Sequence, residues 1–189
     1  MRKFIYILIS LLFFSGCIPK TTHTLKSYDL SVDADTKSYR KYNKVLLVKY
    51  PTVLGAIGGS RIYYKRDGVT SYYLYSTWSK SLSRLIYKDI LENLQKSNRF
   101  KEVVGYDSSA NANLILEISV VNFYHIVDKD SSYALITFSV KLIDARSYNV
   151  IKSKMFEYKK PLNEANAKSF VATSREVIKE FIRDLINFL

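Results

Sequence analysis

Cysteine, glycine and proline are all scarce in this chain of 189 residues, and each shortage excludes a class of protein. A single cysteine excludes an intramolecular disulfide and a cysteine-rich metal site. Six glycines and three prolines are too few for a collagen-like or linker-dominated chain. Because 48% of the residues are hydrophobic and only 24% are charged, the chain has enough apolar side chains to form a folded domain. The length fits one domain of ordinary size.

The first seventeen residues resemble the signal segment of a bacterial lipoprotein. Two basic residues follow the initiator methionine, and the uncharged run over 4–14 is shorter than the roughly 20 residues that span a bilayer. A Ser-Gly pair then precedes Cys17, as small residues precede the lipid-modified cysteine of the lipobox. We therefore predict a signal peptide over 1–16, lipidation of Cys17 and a tether over 17–27. The alternatives are an ordinary secretory signal with an incidental cysteine and a short membrane anchor.

The residue after the predicted lipidation site indicates which membrane holds the protein. Many lipoproteins retained at the inner membrane carry Asp at that position, whereas this chain has Ile18. By resemblance to lipoproteins, we expect a lipid anchor in the outer membrane of a Gram-negative bacterium, with a single domain over 28–189 facing the periplasm.

Positive charge exceeds negative charge, with 29 Lys and Arg against 17 Asp and Glu and a net charge of +12. Removal of the signal peptide takes away two cations and lowers this to +10. An exported protein meets no chromosomal DNA, so we exclude nucleic acid and expect anionic lipid, lipopolysaccharide or an acidic protein as the partner of the basic surface. The alternative is that the lysines reflect an A+T-rich genome, since even the densest group, Lys152, Lys154, Lys159 and Lys160, is small.

The order of hydrophobic patterns predicts an α+β fold. Period-two runs predict strands, bounded by turn residues such as Asp67-Gly68, over 27–32, 44–50, 61–65, 70–75, 102–106, 114–126, 133–144 and 150–158. Apolar residues at helical spacing predict one helix capped by Ser76 or Thr77 and ending at Asn98, and a last helix capped by Asn163. Since each helix has one apolar stripe, we predict a two-layer sandwich in which both helices pack on one face of a mostly antiparallel sheet.

Two stretches are candidates for contact with a partner or with lipid. A short segment that holds three of the six glycines also carries Val53, Leu54 and Ile57, which suit an apolar contact loop or, alternatively, a loop folded into the core. The aromatic stretch around Tyr63 and Tyr73 suits an exposed contact face. Its alternative is a hairpin stabilised by cross-strand tyrosine pairs, with the single tryptophan in the core.

No catalytic or metal-binding constellation is evident in the sequence. His23 lies in the tether, and the alternation around His125 does not fix which face of its strand it occupies. Asp128 and Asp130 fit a solvated hairpin tip better than a calcium loop. A Gly-x-Ser-x-Gly nucleophile elbow is absent. We therefore expect no enzyme activity, no cofactor and no metal; an envelope hydrolase would require a nucleophile placed beside His125.

Several short patterns occur in the order typical of one family. They are the lipobox, a Tyr-x-Leu strand at 28–30, a Val-Leu-Leu-Val strand at 45–48, a basic-apolar strand at 61–65, and a tyrosine-rich strand that leads through Trp78 into an amphipathic helix. In this order the chain resembles the ABC-type transport auxiliary lipoproteins. The resemblance extends from about residue 28 to the final helix.

The resemblance implies a non-enzymatic role in lipid transport between two membranes. It implies an outer-membrane lipoprotein that works with an inner-membrane ABC permease and ATPase and docks a bridging protein with mammalian-cell-entry domains. The alternative is a structural envelope-assembly lipoprotein, similar to a pilotin or to a lipopolysaccharide-assembly subunit. Gene neighbourhood would separate the two, and the sequence leaves self-association open.

Overall fold

The computed structural model of the chain describes residues 24–35, 41–129 and 131–189. The predicted signal peptide, Cys17, His23, Asp130 and most of the tether lie outside these residues. Over the described residues the elements, in chain order, are β1 (Lys26–Tyr28), β2 (Tyr42–Val48), β3 (Thr52–Val53), a 3-10 turn (Gly55–Gly58), β4 (Arg61–Arg66), β5 (Val69–Trp78), α1 (Leu82–Lys96), β6 (Phe100–Gly105), β7 (Leu114–Val127), β8 (Ser132–Asp144), β9 (Val150–Pro161) and α2 (Ala167–Phe188).

The long strand β7 organises the sheet. Along one edge it pairs with β8 over its whole length, antiparallel, and β8 pairs with β9 in the same way. Along its other edge it pairs in parallel with β2, then β3, then β4. Beyond these, β6 joins β2 in parallel, β5 joins β4 as an antiparallel hairpin, and β1 joins the end of β5 in parallel. This mixed sheet with two helices confirms the predicted α+β class, and the two-layer sandwich stays a prediction.

A β-bulge in β7 changes which residues face the core. Before it, even-numbered residues such as Leu116 and Val120 are buried, and beyond it the odd-numbered Phe123 and His125 are buried. The pairing with β8 shifts between Val120 and Asn122, so one extra residue is inserted in β7. This insertion explains why simple alternation could not fix the face of His125.

Both helices bury one stripe in the same core. The stripes are Leu82, Leu85, Ile86, Ile90 and Leu94 on α1, and Phe170, Val177, Ile178, Phe181, Ile182 and Leu185 on α2. The sheet supplies the facing residues, such as Ile118 of β7 and Phe138 of β8. Phe138 stacks on Phe181 with ring centroids 3.9 Å apart.

The predicted start of each helix is wrong, whereas the predicted end of the first is right. Ser76 and Thr77 belong to β5, paired with β1, and α1 begins at Leu82. Trp78 is buried as the last strand residue, so its four-residue spacing from Leu82 mimics a helical repeat. The first helix ends at Lys96, just before Asn98, which adopts the left-handed conformation (φ 52°), as expected. The second is capped by Asn166, not Asn163, with its side chain accepting from the Ser169 amide.

Residues 29–34, which follow β1, lie against α1. Asn93 of α1 holds this segment through two hydrogen bonds, its Nδ2 donating to the Val32 carbonyl and its Oδ1 accepting from the Ala34 amide, both 2.8 Å. Leu30 and Ala34 are fully buried. Residues 29–34 are therefore part of the folded domain rather than of the tether.

Candidate functional site

The glycine-rich segment presents one of its three candidate side chains to solvent. Leu54 is 48% exposed, and its amide donates to the Val120 carbonyl at 3.0 Å. Val53 is half-buried against the core, and Ile57 in the 3-10 turn is 1% exposed. Ile57 therefore offers no surface to a partner, because its side chain is buried in the core. The contact candidate from this segment reduces to Leu54 with its glycine neighbours.

The β4–β5 hairpin follows the cross-strand interpretation of its tyrosines. Asp67 and Gly68 both have positive φ (49° and 78°), as a two-residue hairpin turn of the primed type requires. Tyr63 lies opposite Tyr72 with ring centroids 6.2 Å apart, and the Arg61 guanidinium lies 4.2 Å from the Tyr72 ring. These contacts stabilise the hairpin and leave Tyr63 half-buried.

Tyr73 points to the other side of the hairpin and contacts His125. Its hydroxyl lies 2.5 Å from Nδ1 of His125, whose Nε2 lies 2.6 Å from the Ser132 hydroxyl. The Phe170 ring stacks on the imidazole at 5.8 Å. Burial lowers the pKa of His125 to about 4 and raises the pKa of Tyr73 to about 12, so both are neutral at pH 7.

The structure brings a serine beside His125, as the hydrolase alternative requires, but in a weak arrangement for catalysis. In a triad the second ring nitrogen bonds to a carboxylate, which stabilises the imidazolium as it forms. Here that nitrogen faces the Tyr73 hydroxyl, and no described Asp or Glu side chain bonds to the ring. A fully buried imidazole with a lowered pKa is a poor base for Ser132. The geometry suits a structural clamp between β5, β7 and β8.

An aromatic groove opens along the edge of β5, a feature that the sequence analysis missed. It has a volume of about 270 Å³ and is lined by Tyr64, Arg66, Tyr72, Tyr73, Leu74, Tyr75, Val127 and Ala165. Tyr64 and Tyr73 pack with centroids 5.0 Å apart at its wall. The run of tyrosines was visible in sequence, but the contribution of Ala165 depends on the tertiary fold.

A second aromatic cluster joins α1 to the segments that follow β2 and β6. Tyr50, Tyr87 and Tyr106 form a triangle with all three centroid distances at 5.3 Å. The Tyr87 hydroxyl accepts from the Tyr106 amide at 3.1 Å, and burial raises its pKa. A Cβ at Gly105 would lie 2.5 Å from this hydroxyl, so any other residue there would force the Tyr87 side chain to move. The three tyrosines come from distant parts of the chain, which is why no local pattern marked them.

Across residues 24–35, 41–129 and 131–189, nowhere do three His, Cys, Asp or Glu side chains gather as metal ligands would. Neither described helix combines the length and the apolar character needed to cross a bilayer.

The architecture matches solved structures of low sequence identity. One is protein XCC0632 of Xanthomonas campestris, 17% identical, with a TM-score of 0.78 over 86% of this chain and 94% of that one. Another is an uncharacterised protein, 14% identical, with a TM-score of 0.68 over 87% and 97%. No curated protein matches the chain. At these identities the likeness establishes the fold alone.

A family model identifies the class. The model for the ABC-type transport auxiliary lipoprotein component matches residues 28–185, which begins at β1 and ends in α2. The chain belongs to this family, as its sequence resemblance implied.

Proposed function

We propose that this protein is the non-enzymatic lipoprotein subunit of a transport system that moves lipid between the inner and outer membranes. Cys17 anchors it to the outer membrane, and the folded domain faces the periplasm. There it docks a bridging protein with mammalian-cell-entry domains that serves an inner-membrane ABC permease and ATPase. The observation that carries the proposal is the family match over 28–185, which covers nearly all of the folded domain.

Leu54 is the strongest candidate for the docking contact. It is a large apolar side chain, 48% exposed, on a segment with little regular structure between β3 and the 3-10 turn. Exposed apolar side chains on loops held by a rigid sheet are a common form of contact site. Val53, the residue before it, packs against the core, while Tyr63 pairs with Tyr72 and Tyr73 contacts His125 in the nearby hairpin.

Site-specific crosslinking in cells tests the docking proposal. A photoreactive amino acid replaces Leu54 in one strain and Ile151 of β9, which is 51% exposed, in a control strain. We expect the Leu54 probe to crosslink a protein with mammalian-cell-entry domains and the Ile151 probe to give no such adduct. Equal crosslinking from both positions, or adducts only with assembly factors of pili or lipopolysaccharide, would contradict the proposal.

The lipid anchor has its own test in the mass of the mature protein. Wild-type protein should carry the mass of diacylglycerol and an added acyl chain on residue 17 and should partition into detergent. Cys17→Ala should lose both properties, whereas Ser15→Ala, a small-residue change outside the lipidation site, should keep them. A Cys17→Ala protein that still partitions with membranes would disprove the anchor.

A further inference from the structure

Part of one edge of the sheet has no neighbouring strand among the described residues and carries no charge. Among the described strands, β4 pairs with one side of β5, and β1 pairs with the other side only at residues 76–78. Residues 69–74, Val-Thr-Ser-Tyr-Tyr-Leu, thus have no described strand along their outer edge. Two of their apolar side chains are strongly exposed, with Leu74 at 69% and Val69 at 63%. We call residues 69–74 the open edge.

The opposite edge of the sheet, β9, is protected. Its four lysines discourage pairing with another strand, as lysines on edge strands commonly do. Each also has a contact within the chain: Lys152 with the Phe188 carbonyl, Lys154 with the Phe156 ring, Lys159 with Glu157 and Lys160 with Glu180. The open edge has no charge of either sign, so it lacks the protection against pairing with another strand that the lysines give to β9.

The open edge lies close to the predicted membrane anchor. Lys26 of β1 pairs with Ser76, so Leu25, which is 61% exposed, lies next to the Leu74 end of the open edge. From Cys17 to Leu25 the chain advances by the length of residues 18–25, which is at most about 29 Å when fully extended. A lipid anchor on Cys17 therefore keeps the open edge close to the bilayer surface, at a distance no greater than the diameter of a small domain.

The chemistry around the open edge fits a phospholipid surface. Tyrosine and leucine side chains favour the boundary between headgroups and acyl chains. Lys26 and Arg66, both exposed, flank the stretch and add attraction to anionic headgroups. A second copy of the chain fits less well, because each copy carries a net charge of +12, or +10 without the signal peptide, and the copies repel.

We propose that the open edge, together with Leu25, rests on the anionic phospholipid headgroup layer of the membrane that holds Cys17. The inference depends on the lipid anchor of the proposed function and adds an orientation to it. The β5 side of the domain faces the bilayer, and the β9 side faces the periplasm.

An environment-sensitive fluorophore at single cysteines tests this orientation in the full-length lipoprotein. Leu74→Cys and Met155→Cys are labelled with a nitrobenzoxadiazole maleimide; Met155 on β9 is 62% exposed and serves as the control. The proteins are reconstituted into vesicles of phosphatidylethanolamine and phosphatidylglycerol. We expect a blue shift and an increase in emission from the Leu74 probe only. Lys26→Glu with Arg66→Glu should reduce this response.

Each other outcome has a separate meaning. Labelling of the wild-type protein, together with failure to float with vesicles, shows a free Cys17 and defeats the anchor itself. Flotation with a Leu74 probe that stays in water, or that responds no more than the Met155 probe, overturns the orientation alone. A Leu74 response that rises with protein concentration in detergent, without vesicles, overturns it in favour of pairing between two copies.

Discussion

His125 and Asp89 are both buried and ionisable, yet they are accommodated in opposite ways. Both ring nitrogens of His125 have hydrogen-bond partners, Tyr73 on one side and Ser132 on the other. Asp89 of α1 lies beneath residues 29–34, and its Oδ2 has no hydrogen-bond partner among the described residues. The first clamps the β4–β5 hairpin to β7 and β8, whereas the second lies under a segment that Asn93 already holds.

The difference teaches which buried polar groups stabilise this fold. Burial raises the pKa of Asp89 to about 6, although the Val32 amide donates to the carboxyl and works in the other direction. At pH 7 the protein must therefore bury a charged and partly unsatisfied carboxylate. His125 is neutral at that pH and fully bonded, so its burial is inexpensive.

The largest effect is expected from the ring that covers His125. Phe170→Ala removes a fully buried side chain that contacts Trp78, Phe123 and the imidazole, and should lower the free energy of unfolding by about 3–5 kcal/mol. Urea unfolding measures this loss. Tyr148→Ala, at an exposed turn position, is the control and should change stability by less than about 0.5 kcal/mol. A small effect of Phe170→Ala would mean that the clamp does not depend on its aromatic cover.

Removal of the imidazole should have the next largest effect and should alter the pH dependence. His125→Phe leaves Tyr73 and Ser132 without their shared partner and should cost about 1–3 kcal/mol at pH 7. In the wild type the pKa of His125 is about 4 when folded, below the 6.5 of a solvent-exposed histidine, so the contribution of this group to stability falls as the pH drops from 6.5 towards 4. Urea melts across this range should show that the variant lacks this component of the pH dependence; an unchanged slope would contradict the burial of a neutral imidazole.

Substitution of Asp89 is expected to raise stability, whereas substitution of His125 lowers it. Asp89→Asn keeps an acceptor for the Val32 amide and removes the buried charge, so it should raise stability at pH 7 by about 1–2 kcal/mol. Because the folded pKa of about 6 exceeds the 3.8 of a solvent-exposed aspartate, the wild type loses stability as the pH rises from about 4 to 6, and the variant should not. Thermal unfolding over this range, with the exposed Asp107→Asn as control, gives the answer. Destabilisation by Asp89→Asn would show that Oδ2 of the carboxylate also has a hydrogen-bond partner.

The smallest expected effects come from two serines, one with a hydrogen-bonded hydroxyl and one without. Ser132 bonds to His125, whereas the buried Ser174 hydroxyl has no partner among the described residues. Ser132→Ala should therefore cost about 1 kcal/mol and Ser174→Ala less than about 0.5 kcal/mol, as measured by urea unfolding. Equal costs would remove the distinction between satisfied and unsatisfied centres.

Local patterns predicted the elements whose formation is itself local. The strand predicted over 114–126 is β7, the Asp67-Gly68 turn connects β4 and β5, and α1 ends before Asn98 as expected. In each case neighbouring residues determine the outcome, through alternation, turn geometry or a left-handed residue after the helix. The predicted cross-strand tyrosine pair also depends on a short distance along the chain.

Features that depend on distant residues were beyond the sequence analysis. The parallel pairing of β2, β3 and β4 with β7 involves residues more than sixty positions apart, such as Leu46 with Leu114. The inserted residue in β7 reverses the face of His125. Its trace in the sequence is that the polar residues change from odd positions (Glu117, Ser119) to an even one (Asn122), which by itself does not identify a bulge. Ile57 is apolar in either interpretation of the glycine-rich segment, so only the fold decides that it is buried.

The central position of β7 constrains the order in which the strands can pair during synthesis. A ribosome delivers the chain from its N-terminus, so β2, β3 and β4 emerge long before the strand with which they pair. The β7–β9 meander, by contrast, joins neighbours in the sequence and closes quickly once it appears. The strands β2, β3 and β4 therefore cannot take their places in the sheet until β7 has been made, and the sheet closes only after that point of synthesis.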